Sequence, residues 1–245
     1  LQPSLELLRE LLLESVFPPK ELDQLKSIYL QNLKVNREKT SFRASNLIRK
    51  AIYGETHPYG RESEEADVNA LKQDQLIEHY NQFFKTGTIL VSGKVTENHQ
   101  RYITDIVAPF SFNRLEYENE TQEELKKLKR QVVEKAGSVQ SSIRMGKKII
   151  GRSHDDYAGV LFLNHILGGY FGSRLMKNIR EEKGLSYGIS SGLHTMAKGN
   201  HLVIGADVNR ENLDLTFDEI GKELKRLRTE RVEPSELETA RNHFI

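Results

Sequence analysis

Apolar residues recur at helical spacing through much of this chain. Leu5, Leu8 and Leu12 fall on one stripe with Glu and Arg between them, which predicts an amphipathic helix. Phe17-Pro-Pro interrupts it, since proline offers no N–H to continue the ladder. A second helix is predicted with Leu22, Leu25, Tyr29 and Leu33 on one face. His57-Pro-Tyr-Gly60 reads as a turn, and Leu76, Tyr80 and Phe84 mark another helix. Thr88 to Ser92 is a short strand-like run ending at Gly93, and Ile103, Ile106 and Val107 indicate a further helix.

Residues 114–130 are charged and lack apolar periodicity. This stretch reads as a linker, with the division placed at 1–115, 116–130 (linker) and 131–245. Beyond it, Val139 to Ile150 predicts a long strand or strand pair. Tyr157 to Leu167 predicts an apolar helix buried on most sides. Leu175, Met176 and Ile179 form the inner face of a short helix that Gly184 is placed to end, because glycine adopts positive φ at no steric cost. Leu185 to Leu193 and His201 to Val208 read as strands joined around Lys198-Gly-Asn200. Leu213, Phe217, Ile220, Leu224 and Leu227 give the cleanest amphipathic stripe. Ser235-Glu-Leu-Glu238, after Pro234, fits a capping box opening a last helix. Mixed helices and hairpin strands without βαβ alternation predict an α+β fold with largely antiparallel sheets.

Pro19-Lys-Glu-Leu-Asp-Gln-Leu-Lys26 matches Pro234-Ser-Glu-Leu-Glu-Thr-Ala-Arg241, each following an amphipathic helix. Repetition of the helix–Pro–helix context suggests an internal duplication.

Composition narrows the function without choosing it. The chain has 245 residues and a net charge of +1, so no global field draws it to nucleic acid. Cysteine is absent, which removes disulfides, thiolate metal sites and a cysteine nucleophile. No apolar run approaches the roughly 18 residues of a membrane span. Because the chain opens without Met inside an apparent helix and stops inside another, it reads as a fragment. The compartment stays open.

The most distinctive stretch is Gly168-Gly-Tyr-Phe-Gly-Ser-Arg-Leu-Met-Lys-Asn-Ile-Arg180-Glu-Glu-Lys-Gly-Leu-Ser-Tyr187. A small-residue turn leads into a charged helix, a glycine stop and a strand, which brings Arg180 and Tyr187 to one corner. The stretch resembles the signature of the C-terminal half of peptidase family M16, the insulinase, pitrilysin and mitochondrial-processing-peptidase group, in its M16B-type bacterial form. The resemblance implies duplicated domains, each a largely antiparallel sheet with helices packed on one face. It also implies that Arg180 and Tyr187 hold a peptide substrate at a zinc site carried by the other half or by a partner. Arginine offers a rigid fork of donors to a carbonyl or carboxylate, and a tyrosine hydroxyl can donate to the oxyanion of a tetrahedral intermediate.

The family's zinc motif, His-x-x-Glu-His, does not occur among the eight histidines. In active members a glutamate follows on the helix after the Phe-Pro turn. Here that run is Leu25-Lys-Ser-Ile-Tyr-Leu-Gln31-Asn32, with Gln31 and Asn32 at the expected third-ligand positions. An amide brings no negative charge to a metal. The expectation is therefore that no catalytic residue and no metal ligand lies in these residues. Zinc belongs to the full assembly or to a zinc-bearing M16 partner subunit, or a homodimer. Two other readings stay open: an active zinc endopeptidase whose zinc half lies outside these residues, and a non-proteolytic assembly protein of the same fold. For Arg180 the bland alternative is a solvated helix residue paired with Glu181 or Glu182. For Tyr187 it is a strand-core aromatic in line with Ile189 and Leu193.

Overall fold

The computed structural model describes residues 2–84, 89–109 and 130–244. Most of the expected linker, residues 116–129, lies outside the described residues. The chain forms two compact units, and they are not consecutive in sequence: Lys34–Glu62 packs with the part of the chain beyond the linker.

The first unit is helical. It contains α1 (Gln2–Leu13), most of α2 (Pro19–Arg37), α4 (Glu65–Ala70), α5 (Gln73–Phe83) and α6 (Glu97–Val107). The Phe17-Pro-Pro break separates α1 from α2 as expected. Phe17 itself takes a positive φ of 45°, and its ring meets Tyr80 edge-on at 5.4 Å. Two expectations change here. Ile89 to Ser92 is not a strand; among the described residues no partner strand lies beside it, and Leu90 is 90% exposed. A strand-like pattern supplies faces but no ladder, so pairing decides. Similarly, the apolar stripe of α2 is buried only at Leu33, leaving Leu25 and Tyr29 exposed.

The second unit carries the sheet. Its strands are β1 (Gln140–Lys148), β2 (Ser186–Met196) and β3 (Gly199–Asn209), antiparallel in the order β1-β3-β2. The expected hairpin forms around Lys198-Gly-Asn200. One sheet face carries Ile143, Ile189, Ile204, Ala206 and Val208. They pack with Leu167, Leu175, Met176, Ile179 and Leu185, and with Ile220 from α8 (Leu213–Thr229). The five-residue stripe read from α8 is the one that meets this core, with Ile220 fully buried.

The other sheet face receives α3 (Thr40–Tyr53), a helix that the apolar pattern does not reveal. Gly146 of β1 lies beneath it: a Cβ there would sit 3.1 Å from Ile52 Cδ1 and 2.6 Å from the Leu202 carbonyl oxygen. Ser142 donates to Thr40 Oγ1 at 2.9 Å, and Arg144 Nε to Ser45 Oγ at 3.2 Å. The hydroxyl of Tyr53, at the helix end, lies 2.7 Å from Nδ1 of buried His201 on β3. The predicted turn at His57–Gly60 is present, and the Tyr59 hydroxyl accepts from the Lys198 amide at 3.1 Å.

The helix predicted from Tyr157 is α7 (Tyr157–Asn164), which continues into a π turn, His165–Gly169. None of the α7 residues is fully buried; burial begins at Ile166, Leu167 and Gly168. At the chain's end, α9 (Pro234–Phe244) starts on Pro234 itself. Ser235 is thus already inside the first turn and is not the cap; proline at the first helical position opens the helix instead. Pro19 opens α2 in the same way. Among the described residues no helix is long and apolar enough to cross a membrane.

Candidate functional site

The site is assembled from a turn, a π-helical segment and a bulged strand, all in the second unit. Gly168 lies hard against β2: a Cβ on it would fall 2.6 Å from Ser191 Oγ and 2.7 Å from the Ser191 amide nitrogen. Only glycine lets the backbone approach so closely. The next side chains then divide. Tyr170 turns inward and stacks on His165, with ring centres 4.5 Å apart. Phe171 turns outward and is 62% exposed.

After a helical start at Arg174, residues Met176–Glu182 form a π segment. Leu175, Met176 and Ile179 face the core, as their spacing predicts. The segment ends in a paired hydrogen-bond motif around Gly184, whose φ is +61°. The Gly184 amide donates to the Arg180 carbonyl at 3.2 Å, and the Leu185 amide to the Ile179 carbonyl at 2.9 Å. The first is the bond of a left-handed (αL) cap and the second a wider bond that follows the π winding; together they satisfy two of the segment's last carbonyls. It fixes the backbone of Arg180 relative to the strand that follows.

The strand opens with an irregularity. Ser186 pairs with Val208 and Ile189 with Ala206, so three steps on β2 oppose two on β3. A bulge of this kind re-aims side chains. Ser186 is buried and accepts from the Gly188 amide, while its hydroxyl donates to the Asp207 carbonyl at 2.8 Å. Ile189 enters the core, and Tyr187 is left 91% exposed. Tyr187 is therefore not a strand-core aromatic, and strict alternation with Ile189 and Leu193 fails at the bulge.

Arg180 and Tyr187 meet at this corner. The Arg180 guanidinium carbon lies 5.3 Å from the Tyr187 ring centre and 4.6 Å from that of Phe171. Both lie within the roughly 6 Å over which a cation is held by a ring's quadrupole. Arg180 forms no ion pair with Glu181 or Glu182, and no hydrogen bond to its guanidinium is found among the described residues. Its N–H fork is open. The apolar pattern gives Phe171 no role. Its place in an outward-facing turn between two glycines was the available signal.

Gln31 and Asn32 are exposed on α2, in the first unit. Among the described residues, no three His, Asp or Glu side chains converge on a point that could hold a metal ion. The described residues thus offer a zinc ion no fit.

Comparison with known proteins gives the family. Residues 70–244 match the family described as the Peptidase M16 inactive domain. The chain belongs to this M16 family. It is 22% identical over 245 residues to a Bacillus subtilis protein named uncharacterized zinc protease YmxG, covering 98% of this chain and 59% of that protein. A Streptomyces coelicolor protein, named uncharacterized zinc protease SCO5738, is 24% identical over 185 residues, covering 65% of this chain and 40% of its own length. The crystal structure of a peptidase M16 inactive domain from Pseudomonas fluorescens superposes with a TM-score of 0.83 at 23% identity, over 99% of this chain and 60% of that one. The M16 chain thus spans less than two thirds of the length of the curated relatives it matches. Its α+β fold, with a three-stranded antiparallel sheet, is the fold of that neighbour.

Proposed function

We propose that this M16 chain supplies the substrate-holding pair, Arg180 and Tyr187, for hydrolysis of unfolded peptides, with zinc carried by a partner subunit or by another copy. The carrying observation is the open guanidinium of Arg180, oriented over the exposed Tyr187 ring. Arg180 grips a peptide carbonyl or carboxylate with its fork. The Tyr187 hydroxyl donates to the oxygen that gains charge as the carbonyl is attacked. In this reading the chain joins the second half of one M16 domain, 1–115, to a second domain, 131–245, through the 116–130 linker. The amides Gln31 and Asn32 support the zinc-free assignment, because they stand where the family resemblance implies carboxylate ligands.

The test is zinc analysis of the full-length protein purified alone, followed by a peptidase assay with a zinc-bearing M16 homologue. Activity that appears only with the homologue, and is lost in Arg180→Ala, is the expected result. About one zinc per chain with activity alone would instead favour a peptidase in its own right. That second reading draws on the names of the two curated relatives and on the part of their length that this chain does not span. Arg180→Ala without effect on turnover would favour a non-proteolytic assembly role.

A further inference from the structure

We propose that Phe171 is a positioning residue for Arg180. The inference rests on the reading of Arg180 and Tyr187 as the substrate-holding pair, and it adds the element that keeps the arginine ready.

The packing gives no reason for a large apolar side chain at position 171. The neighbouring Tyr170 already anchors the turn, through its stack on His165 and through its carbonyl, which accepts from the Ser173 amide at 3.1 Å. Phe171 contributes no residue to the buried core and remains mostly in solvent. Among the described residues its ring meets one cation, the Arg180 guanidinium at 4.6 Å. Gly172 follows with a conformation that brings its Cα close to the Tyr170 ring, 2.8 Å from where a Cβ would be. The turn thus points one ring at the core and the next at Arg180.

The physical advantage lies in what a ring does not do. An arginine side chain on a surface carries substantial rotamer entropy. Ordering it beforehand lowers the cost of binding. A carboxylate partner would order it but would also occupy its donors and cancel its charge. An aromatic face holds the cation through its quadrupole and leaves the N–H edge available. Tyr187 supplies one such face, but in the proposed role its hydroxyl must answer to substrate. Phe171 has no polar atom and can hold Arg180 throughout. The ligand class follows: an extended peptide offering a carbonyl or a terminal carboxylate to the free edge of the fork.

The experiment uses phenylglyoxal, which reacts with the neutral guanidine, on the full chain. Modification at Arg180 is followed by peptide mass spectrometry, with exposed Arg231 as internal reference. A ring that stabilises the cation slows the reaction. Phe171→Leu should therefore raise the Arg180 rate relative to Arg231 by about two- to fivefold, the range expected for an exposed cation–π contact. Phe171→Tyr should restore the wild-type rate. Equal rates in wild type and Phe171→Leu would overturn the inference. A second arm adds a synthetic unstructured peptide with a free carboxylate. Protection of Arg180 in the wild type, weakened in Phe171→Leu, is expected. A rate difference without any protection by peptide would sink the substrate-holding reading itself, and with it the binding role of Phe171, while leaving the ring contact established.

Discussion

The Arg180 guanidinium and the Tyr187 ring lie 5.3 Å apart across the corner closed by Gly184, one from a π-helical segment and one from a bulged strand. The two elements are locked by the hydrogen bonds at Gly184 and Leu185. A long cationic side chain and a phenol thereby keep a fixed relation although both reach solvent. If this pair serves peptide hydrolysis, its members fail differently when altered. Tyr187→Phe keeps the ring under Arg180 and removes only the hydroxyl. With a zinc-bearing counterpart present, kcat should fall by about a hundredfold or more, as for loss of an oxyanion donor, with KM little changed. Arg180→Lys keeps the charge but not the planar fork, and should raise KM. Steady-state kinetics of the two variants separate the roles; a Tyr187→Phe variant with wild-type kcat would remove the hydroxyl from the mechanism.

Gly184 is the hinge of this arrangement. Its φ of +61° is one that a Cβ disfavours, by roughly 1–2 kcal/mol. Among the described residues, its chain neighbours apart, no heavy atom lies within 4 Å of where that Cβ would be, so the cost is conformational and not steric crowding by packed side chains. Gly184→Ala should destabilise the second unit by about 1 kcal/mol, and Gly184→Asn by less, since asparagine tolerates this region. Urea unfolding of the three proteins gives the ranking. Equal losses for Ala and Asn would mean that the left-handed cap is not what holds the corner.

Parts of this architecture were legible because they depend on periodicity alone. The α8 stripe from Leu213 to Leu227, the hairpin around Gly199 and the inward set Leu175, Met176 and Ile179 each repeat often enough to set a face. The pairing of Arg180 with Tyr187 was legible through a family resemblance; spacing by itself left Tyr187 looking like a core residue. Other features were hidden for physical reasons. The bulge at Ser186–Ile189 replaces two-residue alternation with a local irregularity, and the serine that stabilises it by bonding Asp207 and Gly188 looks like any small strand residue. Helix α3 buries only Ile52 and Tyr53 deeply, so Arg and Lys around them mask its stripe. The run at Ile89 has the composition of a strand, but a ladder needs a partner that local composition cannot specify. Phe171 was hidden because an exposed aromatic in a glycine-rich turn has no meaning until Arg180 is seen above it.

Burial gives His201 a measurable pH signature. It is 4% exposed on β3, stacked on its cross-strand neighbour His194 at 4.7 Å. Its pKa is lowered from 6.5 to about 4, chiefly by desolvation and then by the charges of His194 and Arg49. Burial likewise pushes the Tyr53 phenol up to about 12, so a protonated phenol lies 2.7 Å from the ring nitrogen of a neutral His201. In the unfolded chain the histidine charges below about pH 6.5, whereas in the fold it does not charge until about pH 4. The unfolded state therefore takes up the proton first, and stability falls as pH drops through that window. Each tenfold loss of proton affinity on folding is worth about 1.4 kcal/mol, so the fall approaches roughly 3 kcal/mol. Urea midpoints measured from pH 7.5 to 4.5 should decline in the wild type. The decline should be shallower in His201→Gln, whose amide can hydrogen-bond Tyr53 in either direction but cannot charge. Parallel declines in both proteins would assign the acid sensitivity elsewhere.

A buried fork ties the last helix to the signature helix, beside the packing of Ala240 and Phe244. Arg174, 6% exposed at the start of the signature helix, donates from Nε and Nη2 to the two carboxylate oxygens of Glu236 on α9, each at 2.7 Å. The same hydrogen bonds hold the Glu236 carboxyl below the usual carboxylate range. Among the described residues the third nitrogen, Nη1, is buried without a hydrogen-bond partner, so desolvation of the guanidinium is offset chiefly by Glu236. Removing one partner of such a pair leaves an uncompensated charge, at a cost of about 3 kcal/mol or more. Glu236→Gln should therefore destabilise the protein by about 2 to 3 kcal/mol, somewhat less than a fully enclosed pair because Glu236 keeps partial contact with solvent. Hydrogen exchange should show α9 losing protection before β3. Replacing both partners, Arg174→Met with Glu236→Leu, should recover most of the loss, because two apolar side chains of similar volume carry no desolvation penalty. If the double variant is no more stable than Glu236→Gln alone, the fork contributes directed bonding that packing cannot replace. The anchoring of α9 beside the Arg180 helix would then depend on the charge pair itself.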